Sequence, residues 1–349
     1  MRKIATRRRA LALVVLGTAV VGAAVAGTSR ASSSRATTTL EGAGSSFVFP
    51  LVSQWIPAFG SATGITIKYN AIGSGGGIAA ITARNVDFGA SDAPLSKDQF
   101  SACKGCVQIP WALSATAVPY NLRGLNGRLR LNARLLADIY LGHIKSWADK
   151  RLKKLNPKLN LPSTDITPVY RSDNSGTSYN FTDYLSSASS EWRSRIGVGV
   201  NANWPTGVGA PKSAGVAAAV SRTNGAIGYV DVAYALANHL AFASIQNKAG
   251  TYTTPGLRSI AAAASTVTRV PANNELSIVN PPKTEKLAYP ICTFTYVILP
   301  TKTSKAKELR QFVFWALTAG QKYGPRLLFV AVPKVVLVKS EKTLKQVHA

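Results

Sequence analysis

The chain has 349 residues, of which 46% are hydrophobic and 16% charged. That is enough for two domains of ordinary size, about 150 residues each, and too apolar for a disordered chain; no heptad or glycine period marks a fibrous repeat. Lys and Arg number 41 against 15 Asp and Glu, a net charge of +26. Seven of the basic residues and none of the acidic ones precede residue 36, which leaves 34 against 15 in the body. Such a body favours anionic partners: nucleic acid, envelope polymers or small oxyanions.

Residues 1–36 read as an export signal. Arg2, Lys3, Arg7, Arg8 and Arg9 precede an uncharged run from Ala10 to Thr28, and Ala24-Val25-Ala26 offers a cleavage site. The run is long for a signal, so an uncleaved N-terminal anchor is the alternative. No Cys lies near it, so the chain is not expected to be a lipoprotein. The destination is periplasmic, or the cell surface and medium. In an exported protein Cys103-Lys104-Gly105-Cys106 reads as a local disulfide across a tight turn, with a thioredoxin-type redox pair as the sharper alternative. A zinc site lacks a second Cys/His pair, and Cys292 in the apolar run Tyr289–Leu299 is expected to be a buried free thiol.

Beyond a Ser/Thr/Ala stretch to about Thr39, short β-type runs alternate with helical segments. Ile65–Tyr69 reads as a strand. The Gly-rich loop Gly73-Ser74-Gly75-Gly76-Gly77 follows, and a helix starts near Ile78. Leu135, Leu136, Ile139 and Tyr140 recur at helical spacing, as do Phe181, Tyr184 and Leu185, and Leu309, Phe312, Val313 and Ala316. Ile166–Tyr170 and Gly225–Val230 read as strands, and Gln246–Asn280 as loop and helix. Trp55, Trp147, Trp192, Trp204 and Trp315 are assigned to packing. This alternation predicts an α/β fold with largely parallel sheets.

Three segments repeat one design of strand, small Gly/Ser residues and helix: Gly42–Phe47, Gly73–Gly77 and Asp173–Ser178. A helix N-terminus exposes unpaired N–H groups and attracts anions, glycine admits a ligand close to the backbone, and hydroxyls add donors. One such loop is most often a capped helix. Three, with Arg171 before one of them, point to a convergent oxyanion cage. Neither nucleotide motif fits: GxxxxGK[ST] is absent, and the glycines around Ser74 miss the last position of GxGxxG. The three His residues form no metal motif, and Gly89–Ala93 only approximates a nucleophile elbow. No enzyme, metal or cofactor is expected. Nor is nucleic acid, because the basic residues are scattered and fit no recognisable module.

At this point the chain resembles a known family. Gly42–Phe47, Ile72–Gly77, Val86–Leu95, Asp138–Trp147, Leu155–Pro157, Arg171–Ser178 and Gly225–Val230 look like the phosphate-binding protein of the bacterial phosphate ABC importer, the PstS family, over about Thr39 to Pro333 and in family order. The resemblance implies the two-lobed periplasmic-binding-protein fold, type II, with the ligand in the interlobe cleft. Lobe one would be residues 38–115 plus 290–349 and lobe two 116–289, with crossing strands near Ala112–Pro119 and Tyr289–Val297 as hinge and Trp111 close to it. It implies inorganic phosphate as ligand, permease subunits as partners, and a monomer. Phosphate would be held by Ser46, Phe47, Ser74, Asp92, Arg171, Ser175, Gly176 and Thr177. Asp92 would accept the phosphate proton, and Arg171 would donate to the anion and pair with Asp92. Three departures stand out: Ser46 where Thr is common, Gly75 where Ser often follows, and Asn174 where Gly often sits. An oxyanion-sensing or adhesion protein of the same fold, or a phosphatase, are the rival functions.

Overall fold

Thr39–Gly44 lies near one edge of a seven-stranded sheet, and that position fixes the rest of the architecture. In the computed structural model, which describes residues 38–349, this strand pairs in parallel with Thr66–Asn70 and with Phe88–Ser91. The sheet continues through Ile291–Pro300, antiparallel to Phe88–Ser91, to Cys106–Ala117 and Val230–Asp231. A second sheet has Thr167–Arg171 at its centre, with Val208–Ala210 and Ala226–Ile227 parallel on either side. A third, small sheet joins Arg130–Leu131, Ser244–Gln246 and Tyr252–Thr253. The export segment expected in residues 1–36 lies outside the described residues. Within them no helix is long and apolar enough to cross a membrane.

Cys106–Ala117 and Ile291–Pro300 are buried along their whole lengths. Continuous apolar runs of this kind suit a strand covered on both faces. Helices Phe49–Thr63 and Ala306–Leu317 cover one side through Trp55, Phe59, Phe312 and Val313. Trp111 is fully buried there. It stands edge-on to Trp55 at 5.1 Å, and its indole N–H donates to Thr295 at 3.2 Å. Trp147 and Trp192 are buried in the core, while Trp204 and Trp315 pack against it partly buried. Cys103 and Cys106 are joined by a disulfide, and Cys292 is a buried free thiol whose pKa is driven up by desolvation. The Arg84 guanidinium ties the disulfide turn by donating to the carbonyls of Cys103 and Lys104 at 2.8 and 3.1 Å.

Three expectations need correction. The Gly-rich segment after Gly73 is not a loop: the helix runs Ser74–Thr82, and the glycines form its first turn. Glycine weakens a helix by about 1 kcal/mol each relative to alanine, but here packing requires it. A Cβ on Gly77 would lie 2.4 Å from Gly44 Cα. Gly225–Val230 is not one strand: Ala226–Ile227 belongs to the second sheet and Val230–Asp231 to the first. Between Gln246 and Asn280 the expected helix is Leu257–Ala264, but short strands at Tyr252–Thr253 and Ile278–Val279 stand where only loop was expected.

Candidate anion site

In both larger sheets the parallel strands point their carboxyl ends at one place, where ligands sit in open α/β sheets. Thr39–Gly44 leads into Ser45 and Ser46. Thr66–Asn70 leads into Ser74, and Phe88–Ser91 into Asp92. From the second sheet, Thr167–Arg171 ends on Arg171 and leads into Ser175 and Thr177, and Val208–Ala210 leads into Ser213. Ser46, Ser74, Asp92, Arg171, Ser175, Thr177 and Ser213 are all buried.

Asp92 is the acceptor at the centre. Ser45 Oγ donates to Oδ1 at 2.5 Å and Ser74 Oγ to Oδ2 at 3.2 Å. The Asp92 backbone carbonyl accepts Asn180 Nδ2 at 2.9 Å, which ties it to helix Gly176–Ala188. Burial pushes the carboxyl up to about 6; the Ser45 hydroxyl, the Arg171 charge and the hydroxyls of Ser74 and Thr295 work against that rise. Gly176 faces this carboxylate so closely that a Cβ there would stand 2.7 Å from both Asp92 Cβ and Ser74 Oγ.

Arg171 is the cation, and its partner differs from the one expected. It does not pair with Asp92. Its Nε and Nη2 donate in bidentate fashion to Asp173 at 2.7 and 2.6 Å. The reason is local: two residues past a strand end, Asp173 reaches the fork of the guanidinium, whereas Asp92 is already occupied by two hydroxyls. Nη1 remains directed inward, 3.3 Å from Thr177 Oγ1 and 3.4 Å from Ser213 Oγ. Burial raises the Asp173 pKa, but bonds from Arg171 and its charge, with the Lys212 N–H, bring it below the ordinary carboxylate value. The pair is therefore an ionised clamp that aims one edge of Arg171.

The expected residues from all three loops are brought together. Ser46 Oγ lies 3.1 Å from Ser213 Oγ, which joins the two halves of the site. Phe47 is buried, with its ring edge-on to Phe329 at 6.1 Å. Ser175 is the N-cap of its helix and accepts the Thr177 and Ser178 N–H groups. Three contributors went unread in the sequence. Ser45 stands beside the expected Ser46. Asn180 sits inside a helix without a motif. Ser213 opens helix Lys212–Arg222 behind Pro211, a fourth helix start at the site. Pro211 at the N-cap, with Ser213 and Gly215 in the first turn, is the sequence signal for it.

Two of the departures from the family pattern turn out to touch each other. The Gly75 N–H donates to the Asn174 carbonyl at 2.9 Å, and a Cβ on Gly75 would fall 2.4 Å from Asn174 Cβ. A side chain at 174 therefore demands its absence at 75.

A buried acceptor ringed by hydroxyls, with one clamped guanidinium between two α/β sheets, defines a solute-binding protein of the periplasmic type. Residues 29–319 match the family described as the PBP superfamily domain. The chain is 41% identical over 298 residues to the phosphate-binding protein PstS of Xylella fastidiosa, covering 84% of this chain and 81% of that one. With the PstS of Haemophilus influenzae it shares 37% over 309 residues, covering 87% and 92%. The chain belongs to the PstS family of phosphate-binding proteins. Among solved structures, a phosphate-bound periplasmic phosphate-binding protein, PfluDING, superposes with a TM-score of 0.72 at 20% identity, covering 87% of this chain and 93% of that one. The phosphate-binding protein of Stenotrophomonas maltophilia gives 0.69 at 21%, covering 88% and 94%. Both are similar in fold.

Proposed function

We propose that this chain captures inorganic phosphate outside the cytoplasm and delivers it, as a monomer, to the permease subunits of an ABC importer. It is a binding protein and not an enzyme. Residues 38–115 with 290–349 form one lobe and 116–289 the other, and the anion is enclosed where they meet. Ser46, Ser74, Arg171 and Thr177 donate side-chain hydrogen bonds to it, Phe47 and Gly176 donate backbone N–H groups, and Ser175 and Ser213 add their hydroxyls. Export by residues 1–36, as a cleaved signal or as an anchor, places the protein next to its permease.

The observation that carries this reading is Asp92, a carboxylate buried in a ring of hydroxyls. Phosphate retains at least one proton at neutral pH and sulfate retains none. The hydroxyls and the guanidinium suit either anion, whereas a lone carboxylate suits only the one that can donate. A site built around one such hydrogen bond rejects an analogue lacking it by about 10⁴–10⁵. Calorimetry of phosphate-stripped protein with phosphate and with sulfate tests this directly. Tight phosphate binding with little sulfate binding is expected, together with a rise in melting temperature; a hundredfold excess of ligand over Kd adds about 2.7 kcal/mol. Equal affinity for the two anions refutes the reading.

A further inference from the structure

The anion site uses one cation, Arg171, so the basic surplus of the body resides elsewhere. Between Arg123 and Lys158 the chain carries ten Lys and Arg against two Asp. Arg134 and Arg151 are engaged by Asp138 and Asp149. Arg128, Arg130 and Lys158 instead line one concavity of about 210 Å³ together with Leu155, Asn156, Pro157 and Leu159, with no acidic residue in its lining. Among the described residues none of these three cations forms an ion pair.

The groove is built, not a chance gathering of surface charge. The Arg130 backbone is clipped on both sides by the buried Asn156: its N–H donates to Oδ1 at 2.8 Å, and Nδ2 donates to its carbonyl at 3.0 Å. The Arg130 guanidinium lies over the Tyr252 ring at 5.1 Å. That of Arg128 lies over Phe242 at 5.0 Å, and its Nη1 donates to the Phe242 carbonyl at 3.0 Å. Stacking holds each planar fork in place and leaves its edge free to donate, the presentation suited to phosphoryl oxygens. Lys153 and Lys154, exposed on the last turn of helix Lys150–Leu155, extend the positive charge away from the rim.

We propose that this groove docks a linear chain of phosphoryl groups, at a site separate from the one that holds the single anion. A single-stranded nucleic acid would need open ring faces on which to stack its bases. Here one face each of Tyr252 and Phe242 is taken by a guanidinium group. A lipid surface would be met by large apolar side chains that project, and here Leu155 and Leu159 are partly buried.

The test measures inorganic polyphosphate binding to the full chain with the anion site saturated by orthophosphate, so that failure of the orthophosphate reading is seen separately. The triple variant Arg128→Gln/Arg130→Gln/Lys158→Gln should bind polyphosphate at least tenfold more weakly. Its slope of log affinity against log salt should be lower by about two, at roughly 0.7 for each phosphate of a single strand that is no longer neutralised, and its orthophosphate affinity unchanged. The charge-matched control Lys286→Gln/Lys302→Gln/Lys307→Gln should leave polyphosphate binding close to wild type. An equal weakening in that control would reduce the effect to net charge and overturn the proposal. So would tighter binding to phosphatidylglycerol vesicles or single-stranded DNA than to polyphosphate, or no polyphosphate binding at physiological salt.

Discussion

Arg171 and Asp173, two residues apart, form a bidentate pair at 2.7 and 2.6 Å on the rim of the site, and this pair sets the direction of the one free edge of the guanidinium. Arg171→Lys should therefore fail as a conservative change. An ammonium cannot grip Asp173 with two parallel bonds while reaching Thr177 and Ser213. We expect phosphate affinity to fall at least tenfold, at about 1.4 kcal/mol per decade, in both Arg171→Lys and Arg171→Ala. Titration calorimetry checks it, and wild-type affinity in Arg171→Lys would show that the clamp is dispensable.

Asp92→Asn keeps the shape of the site but removes the repulsion that excludes an unprotonated anion. Its amide can still accept a hydrogen bond from the phosphate O–H or turn to donate to sulfate. The phosphate/sulfate affinity ratio should narrow, chiefly because sulfate gains. Both ligands must be measured at one ionic strength, because the basic surface otherwise blurs the comparison. Full retention of the ratio would exclude Asp92 as the discriminating group.

The pH dependence follows from the same carboxyl. Burial lifts its pKa to about 6, so the folded protein holds this proton over a window in which the unfolded chain has released it. The stabilising contribution is thus largest below the ordinary carboxylate value and is lost as pH rises through about 6. Sulfate stays unprotonated across this window and so reports Asp92 alone. Its affinity should rise as pH falls through about 6 and stay flat in Asp92→Asn. A flat wild-type profile would contradict the assignment.

Gly75 and Asn174 should be coupled. Gly75→Ser places a Cβ against Asn174 Cβ and strains the backbone bond between them, so phosphate affinity should drop about tenfold. Asn174→Gly alone should cost little, and the double variant should regain most of the loss. Contacting residues typically couple by about 0.5–3 kcal/mol; a double-mutant cycle of binding affinities measures it. Strict additivity would mean that the two positions are independent.

The alternation of strand and helix and the three Gly/Ser segments were legible because each has a local physical cause: apolar periodicity, and small residues where backbone and ligand approach. The choice of partner was not legible. Asp92 is the partner expected for Arg171, and nothing in the sequence shows that Asp92 instead accepts Ser45 and Ser74 while Asp173 takes the guanidinium. Ser213 was hidden for a related reason. Its helix start matches no Gly/Ser segment of the other three, and its importance comes from a residue 167 positions away, Ser46. The glycines of Ser74–Thr82 point in the other direction, since their helix propensity is poor, and it is tertiary contact, with Asn174 at Gly75 and with Gly44 at Gly77, that leaves no room for side chains there.

The division of Gly225–Val230 between two sheets makes a joint two residues long. Ile227 is fixed to one sheet and Val230 to the other, and between them the Gly228 N–H donates to the Pro119 carbonyl at 2.9 Å. Tyr229 is not free to turn unnoticed. Its hydroxyl accepts the Arg171 N–H at 3.0 Å and lies 2.7 Å from Ser178 Oγ, in the first turn of helix Gly176–Ala188. One hydroxyl thus ties this stretch to Arg171 and to that helix start together. A Tyr229→Phe protein would keep the buried ring and lose both ties.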